Sequence, residues 1–114
     1  MFGRKKRDEV APQEAARLQK QGSTLLDVRE PDEWGTGHAP HAVHVPLAEV
    51  GGSASRFDGQ QVLVVCRSGV RSAKAAKALA AAGIDARNVV GGMNAWSKAG
   101  LPVVRDDGSA GAVA

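Results

Sequence analysis

The run Gln61-Val62-Leu63-Val64-Val65 and the residues after it constrain this chain most. Five residues of strand character end in a tight Cys66-Arg67-Ser68-Gly69 turn, and a helical pattern leads away over 72–82. An apolar strand that passes through a short turn into a helix, in a chain where such pairs recur, predicts parallel βαβ units. The same alternation is read elsewhere. Glu9-Val10 is a short first strand, and Pro12 suits the first position of a helix over 12–20 that Gly22 stops. Residues 24–28 read as a buried strand, 31–34 as a short helix ended by Gly35 and Gly37, and 42–45 as a weak strand. One helical turn is expected over 47–50 and a polar loop over 51–59. A last strand is expected at Val89-Val90 and a final helix over 93–98. On the helix after Cys66, the residues Val70, Ala73, Ala76, Leu79 and Ala80 fall on one face, away from Lys74 and Lys77.

A chain of 114 residues that is 43% apolar supports one domain with one core. The boundaries expected are a basic N-terminal extension at 1–8, a domain over 9–101 and a disordered tail over 102–114, where small and polar residues dominate. No apolar run approaches the roughly 18 residues of a membrane-spanning helix. The N-terminal Arg4-Lys5-Lys6-Arg7 has no hydrophobic stretch behind it, so it does not read as a secretory signal. The net charge is +3, and much of it lies in that run. Without interleaved aromatic residues it reads as a solvated terminus rather than a nucleic-acid contact. The single cysteine cannot form an internal disulfide, which points to a functional thiol in a reducing, cytoplasmic setting.

That thiol is expected to be exposed on its loop, and it is placed for chemistry. A strand-to-helix turn gathers backbone N–H groups and the positive end of a helix dipole. Such surroundings, with a neighbouring Arg, bring a cysteine from a pKa of about 8.5 to roughly 3.5–7.5. Arg67 and Arg71 indicate an anionic partner. The N–H groups of Arg67, Ser68, Gly69, Val70, Arg71 and Ser72 can form an anion-holding nest around Sγ, with Gly69 supplying a positive φ. The structural alternative for Cys66 is an inert buried core cysteine; for Arg67 and Arg71 it is a side chain turned to solvent.

Leu25-Leu26-Asp27-Val28-Arg29-Glu30 with Glu33-Trp34 and Gly37-His38, then Cys66-Arg67-Ser68-Gly69-Val70-Arg71-Ser72, then Gly91-Gly92-Met93-Asn94-Ala95-Trp96, resemble three signatures of the rhodanese family, in the family's order. The resemblance implies an α/β fold: a single rhodanese-like domain with a central parallel five-stranded sheet and helices on both faces. It also implies thiosulfate-type sulfur transfer, with Cys66 taking up a sulfane sulfur as a persulfide and passing it to cyanide, a thiol or a sulfur-acceptor protein. No cofactor, metal, nucleic acid or membrane is implied. Because the family's fold sets the end of the 24–28 strand beside the cysteine loop, Asp27 is expected to orient Arg71 or to tie down Arg29.

His38, His41 and His44 are spaced by three, but Pro40 and Pro46 argue against a shared helical face, and on a strand they alternate sides. They do not read as a metal site. His38 fits a structural hydrogen bond, and His41 stands where the family usually has Gly. Trp34 and Trp96 read as core packing, and Gly91-Gly92 as a helix-entry turn. Two other functions compete. A cysteine phosphatase or arsenate reductase keeps five residues between Cys and Arg, which would put Arg at position 72, where this chain has Ser72. A non-catalytic persulfide carrier would use the same cysteine without turning over.

Overall fold

The structure is a computed structural model and describes residues 8–114; the basic run at 4–7 lies outside the described residues. Five strands, β1 Glu9–Val10, β2 Thr24–Asp27, β3 Val43–His44, β4 Gln61–Val65 and β5 Asp85–Val89, form one sheet in the order β1-β5-β4-β2-β3. Every pairing is parallel. The helices are α1 Pro12–Lys20, α2 Pro31–Thr36, α3 Leu47–Ser53, α4 Val70–Ala81 and α5 Gly92–Lys98.

The central strand β4 explains the two-sided core. Its residues Val62 to Val65 are all fully buried, as a parallel strand covered on both faces requires. Val62, Val64 and Cys66 join one apolar cluster with Val50, Phe57, Ala75, Ala76 and Leu79. Leu63 and Val65 join the opposite cluster with Ala15, Val89, Met93 and Trp96. Period-two alternation therefore sends Cys66 to the α3/α4 side and its neighbour Val65 to the α1/α5 side. Both faces meet at the carboxyl ends of the strands, where ligands bind in open parallel sheets. No helix among the described residues is long and apolar enough to cross a membrane.

Four expectations from the sequence are corrected. The 51–59 segment is not a loop: α3 runs to Ser53 and a 3-10 turn follows over Ala54–Phe57. Gly51 and Gly52 disfavour a helix, but the turn delivers Phe57, 3% exposed, to the core beside Val50. The last strand lies earlier than Val89-Val90. β5 is paired with β4 from Asp85 to Asn88, and its polar, half-buried start hides it from an apolar scan. On α4 the buried residues are Ser72, Ala75, Ala76 and Leu79, while Val70 is 77% exposed; the inward face is set by a polar residue whose hydrogen bonds are satisfied.

The fourth correction concerns the segment after residue 101, expected to be disordered. His38 and Val104 exchange both backbone hydrogen bonds at 2.8 Å, and the Ala112 N–H donates to Thr36. Val103 and Val113 pack against the core. A Cβ on Gly111 would lie 2.8 Å from the Gly37 Cα. The small residues that read as disorder are what let these two backbones approach.

His41 has a φ of 62° and is the non-glycine residue with positive φ among those described. A side chain there costs roughly 1–2 kcal/mol. His41→Gly is expected to raise stability by about 1 kcal/mol, after the extra unfolded-chain freedom of Gly, read as a higher urea midpoint. An unchanged or lower midpoint would show the turn to be unstrained.

Candidate active site

Cys66 follows β4 directly, and its residue is only 1% exposed. The loop cysteine expected to stand free is therefore part of the core wall, with its sulfur facing the start of α4. Gly69, at φ 107°, turns the loop into α4, as its positive φ was expected to do. The Gly69 N–H donates to Sγ at 3.1 Å, and Ser72 Oγ stands 3.3 Å from it. Burial pushes the thiol up; hydrogen bonds from the Ser72 hydroxyl and from the N–H groups of Ser72, Gly69 and Ser68 more than offset this, so the thiol lies below its ordinary value. Of the N–H groups expected to form a nest, that of Gly69 is hydrogen-bonded to Sγ.

The arginines divide. Arg67 is exposed beside Ser68. Arg71 is not turned over the thiol: its two terminal nitrogens donate to the two carboxylate oxygens of Glu33 at 2.6 and 2.9 Å. This bidentate pair ties the first turn of α4 to α2. It raises Arg71, with a smaller contribution from the charge of Cys66. Glu33 also accepts the N–H of Glu30 at 3.0 Å, closing a capping box on α2.

The Arg71 hydrogen bond, against a smaller burial effect, lowers Glu33 from 4.5 to about 2. A carboxylate lowered on folding stabilises above its unfolded value and loses that effect as pH falls through its folded value. Wild type should therefore exceed Glu33→Gln in stability at neutral pH by on the order of 1 kcal/mol after solvent screening. The gap should close between about pH 4.5 and pH 2. Urea titrations of both proteins across that window check this; a pH-independent gap would remove the ion pair as its cause.

Asp27 and Arg29 are both fully buried and form a two-point ion pair, with Arg29 Nη2 2.8 Å from Asp27 Oδ2 and Nε 3.0 Å from Oδ1. Of the two roles expected for Asp27, the structure has the second: it ties down Arg29, not Arg71. Arg29 then donates to the carbonyls of Gly37 at 2.7 Å and Glu33 at 3.3 Å. The pair thereby positions α2, which carries the Glu33 partner of Arg71.

Three residues that matter here were missed as site residues. Glu33 was visible only as part of a signature. Asn88, on β5, accepts from Ser72 Oγ at 2.6 Å and donates to the Gly69 carbonyl at 3.1 Å; a single Asn in a short polar strand carries no signal in the sequence. Gly92 lies under the cysteine loop, and a Cβ there would be 2.4 Å from the Cys66 carbonyl oxygen. The glycine pair is a helix-entry turn, as expected, and the turn presents the Met93 and Asn94 N–H groups to the Cys66 and Arg67 carbonyls at 2.7 and 3.0 Å.

His38 and His44 are structural. Trp34 stacks on His38 with ring centroids 3.5 Å apart and on His44 at 4.7 Å. His38 Nδ1 donates to the Trp34 carbonyl at 3.0 Å, and His44 Nε2 to the Arg29 carbonyl at 2.7 Å. Trp34 thus packs on imidazoles rather than in the apolar core, whereas Trp96 is a core residue at 1% exposure. No group of three or more metal-binding side chains occurs among the described residues.

Comparison with known proteins agrees with this geometry. The model of the rhodanese-like domain matches residues 11–99. The chain is 39% identical over 95 residues to thiosulfate sulfurtransferase 16, chloroplastic, of Arabidopsis thaliana, covering 71% of this chain and 79% of that protein. It is 32% identical over 98 residues to the thiosulfate sulfurtransferase GlpE of Actinobacillus pleuropneumoniae, covering 83% of this chain and 91% of that protein. The crystal structure of a rhodanese-related protein from Thermoplasma volcanium superposes with a TM-score of 0.78 at 30% identity, over 84% of this chain and 96% of that one. A lone cysteine between a buried parallel strand and a glycine-capped helix, in a domain matched over nearly its whole length, places this chain in the rhodanese-like family, with two relatives that are named thiosulfate sulfurtransferases.

Proposed function

We propose that this protein is a thiosulfate sulfurtransferase-like enzyme that works through a Cys66 persulfide. The observation that carries the reading is the single Sγ held by the Gly69 N–H and the Ser72 hydroxyl at the start of α4. The thiolate attacks the outer sulfur of a thiosulfate-like dianion. A Cys66–sulfur bond forms, the sulfur–sulfur bond of the donor breaks, and its electron pair leaves on sulfite. A thiol or cyanide then takes the sulfane sulfur and returns the thiolate. Sulfur attack needs a soft nucleophile that is ionised near neutral pH, which a lowered thiol supplies. No other cysteine in the sequence can resolve the persulfide, so the acceptor comes from outside, in a reducing compartment such as the cytoplasm.

The dianion is received by the loop from Arg67 to Ser72. Its N–H groups and the positive end of α4 face the leaving sulfite, and exposed Arg67 supplies a cation with no carboxylate partner among the described residues. Arg71, with its charge matched by Glu33, holds the loop in register and adds a weaker attraction. Asp27 and Arg29 support α2 from behind. The ring length argues against phosphate chemistry, since Ser72 occupies the position a phosphatase arginine would need and is buried under the sulfur.

Mass spectrometry of the purified protein before and after thiosulfate tests the reading. A gain of one sulfur atom on the Cys66 peptide, lost again on adding cyanide with repeated turnover, is the expected result. No gain rejects it, and loading without turnover would make the protein a carrier instead.

A further inference from the structure

The Ser72 hydroxyl has two claimants and one proton. It lies 2.6 Å from Asn88 Oδ1 and 3.3 Å from Cys66 Sγ. The orientation of the amide is fixed by its other end, because Asn88 Nδ2 donates to the Gly69 carbonyl at 3.1 Å. Turning it over would set two carbonyl oxygens, Asn88 Oδ1 and that of Gly69, against each other. So Oδ1 faces Ser72, and the shorter contact takes the larger share of the proton.

We propose that Asn88 competes with Cys66 for the Ser72 proton and so acts as a positioning residue that weakens the hydrogen bond Ser72 gives the nucleophile. In the thiol form a continuous chain is satisfied: S–H to Ser72 Oγ, and Ser72 O–H to Asn88 Oδ1. In the thiolate form Ser72 can turn its proton to sulfur only by leaving Oδ1 of a buried Asn88 without a donor, and an unpaired buried acceptor is costly. The sulfur therefore keeps its lone pairs less engaged than a 3.3 Å serine contact suggests. A thiolate with fewer donors is more basic and a better nucleophile, since thiol reactivity rises with basicity.

The other groups facing the thiol do not duplicate this effect. From β4 and its loop, the charged neighbour is Arg67, which is exposed. From α4 it is Arg71, neutralised by Glu33 of α2. Asp27 and Arg29, at the end of β2, are paired with each other. From β5 the group is Asn88 itself, and from α5 the loop receives the backbone N–H groups of Met93 and Asn94.

The inference rests on the proposed role of Cys66 as nucleophile, but its test needs no sulfur donor. The single cysteine of the chain allows its ionisation to be followed by thiolate ultraviolet absorbance and by the pH dependence of alkylation with iodoacetamide. Asn88→Ala frees the Ser72 proton for sulfur. The acid dissociation constant of Cys66 should rise about tenfold, one hydrogen bond to a charged group. The alkylation rate of the fully ionised thiol should fall about threefold. In a Ser72→Ala background the same substitution should change neither. An unchanged or lower dissociation constant in Asn88→Ala, or an equal shift with Ser72 absent, overturns the proposal and leaves Asn88 a loop clamp.

Asn88→Leu repeats the measurement with the side-chain volume retained. Should neither variant fold, wild type against Ser72→Ala decides. A proton held mainly by Asn88 predicts a change in the Cys66 dissociation constant within about threefold, and a larger loss shows that Ser72 donates to sulfur freely. Failure of these titrations leaves the sulfur gain on Cys66 untouched, and failure of that gain leaves the titrations standing.

Discussion

Cys66→Ser should reduce sulfur transfer from thiosulfate to cyanide by on the order of 10⁴-fold or more, as removal of a covalent nucleophile does elsewhere, while the protein stays folded. The hydroxyl is a hard, un-ionised group near neutral pH and cannot hold a sulfane sulfur. The fold should survive although Cys66 is part of the core cluster. The new oxygen sits where the Gly69 N–H already points, so it is paired rather than orphaned, and the expected cost is about 1 kcal/mol. Cys66→Ala should lose activity equally and somewhat more stability, about 1–2 kcal/mol, because it leaves a small void behind β4. Sulfite release and thermal unfolding measured on the same samples separate the two effects. A residual rate within tenfold of wild type would place the nucleophile elsewhere, and the sequence holds no second cysteine to receive it.

What could be read from the sequence, and what could not, follows from how each feature is encoded. The strand–turn–helix around Cys66 was legible because a continuous apolar run, a glycine and a helical pattern stand in order within a short window. The β5 boundary was not: Asp85, Arg87 and Asn88 are held in the sheet by register with β4, a nonlocal cause. The Glu33–Arg71 pair joins residues 38 apart, so Arg71 read as an anion-binding arginine when its fork is already filled. Cys66 read as an exposed loop thiol because the turn is local, whereas its burial comes from packing with residues distant in sequence, Val50, Phe57 and Leu79 among them. The glycine-rich end of the chain read as disorder because composition does not reveal that Gly37 and Gly111 offer each other room.

Gly92→Ala should damage stability and catalysis together, with an expected loss of about 2–5 kcal/mol. Two independent terms add. Gly92 has a φ of +58°, which costs a residue bearing a Cβ roughly 1–2 kcal/mol. That Cβ would also lie 2.4 Å from the Cys66 oxygen and 2.6 Å from the Arg67 oxygen. Both are backbone atoms and cannot swing aside, so α5 must back away, at the roughly 1–3 kcal/mol typical of overpacking. Backing away breaks the Met93 and Asn94 hydrogen bonds to those same carbonyls, which hold the curl that aims the Gly69 N–H at sulfur. In molecules that remain folded, turnover should fall on the order of 10²-fold, the usual consequence of displacing a reacting group by about 1 Å. Gly35→Ala is the matched comparison: its Cβ meets nothing within 4 Å, and inside α2 the change should be neutral or stabilising by up to about 1 kcal/mol. Urea midpoints and sulfite release for the two variants decide the matter. If Gly92→Ala behaves like Gly35→Ala, the α5 turn is a passive neighbour and the cysteine loop holds its shape through Gly69, Ser72 and Asn88 alone.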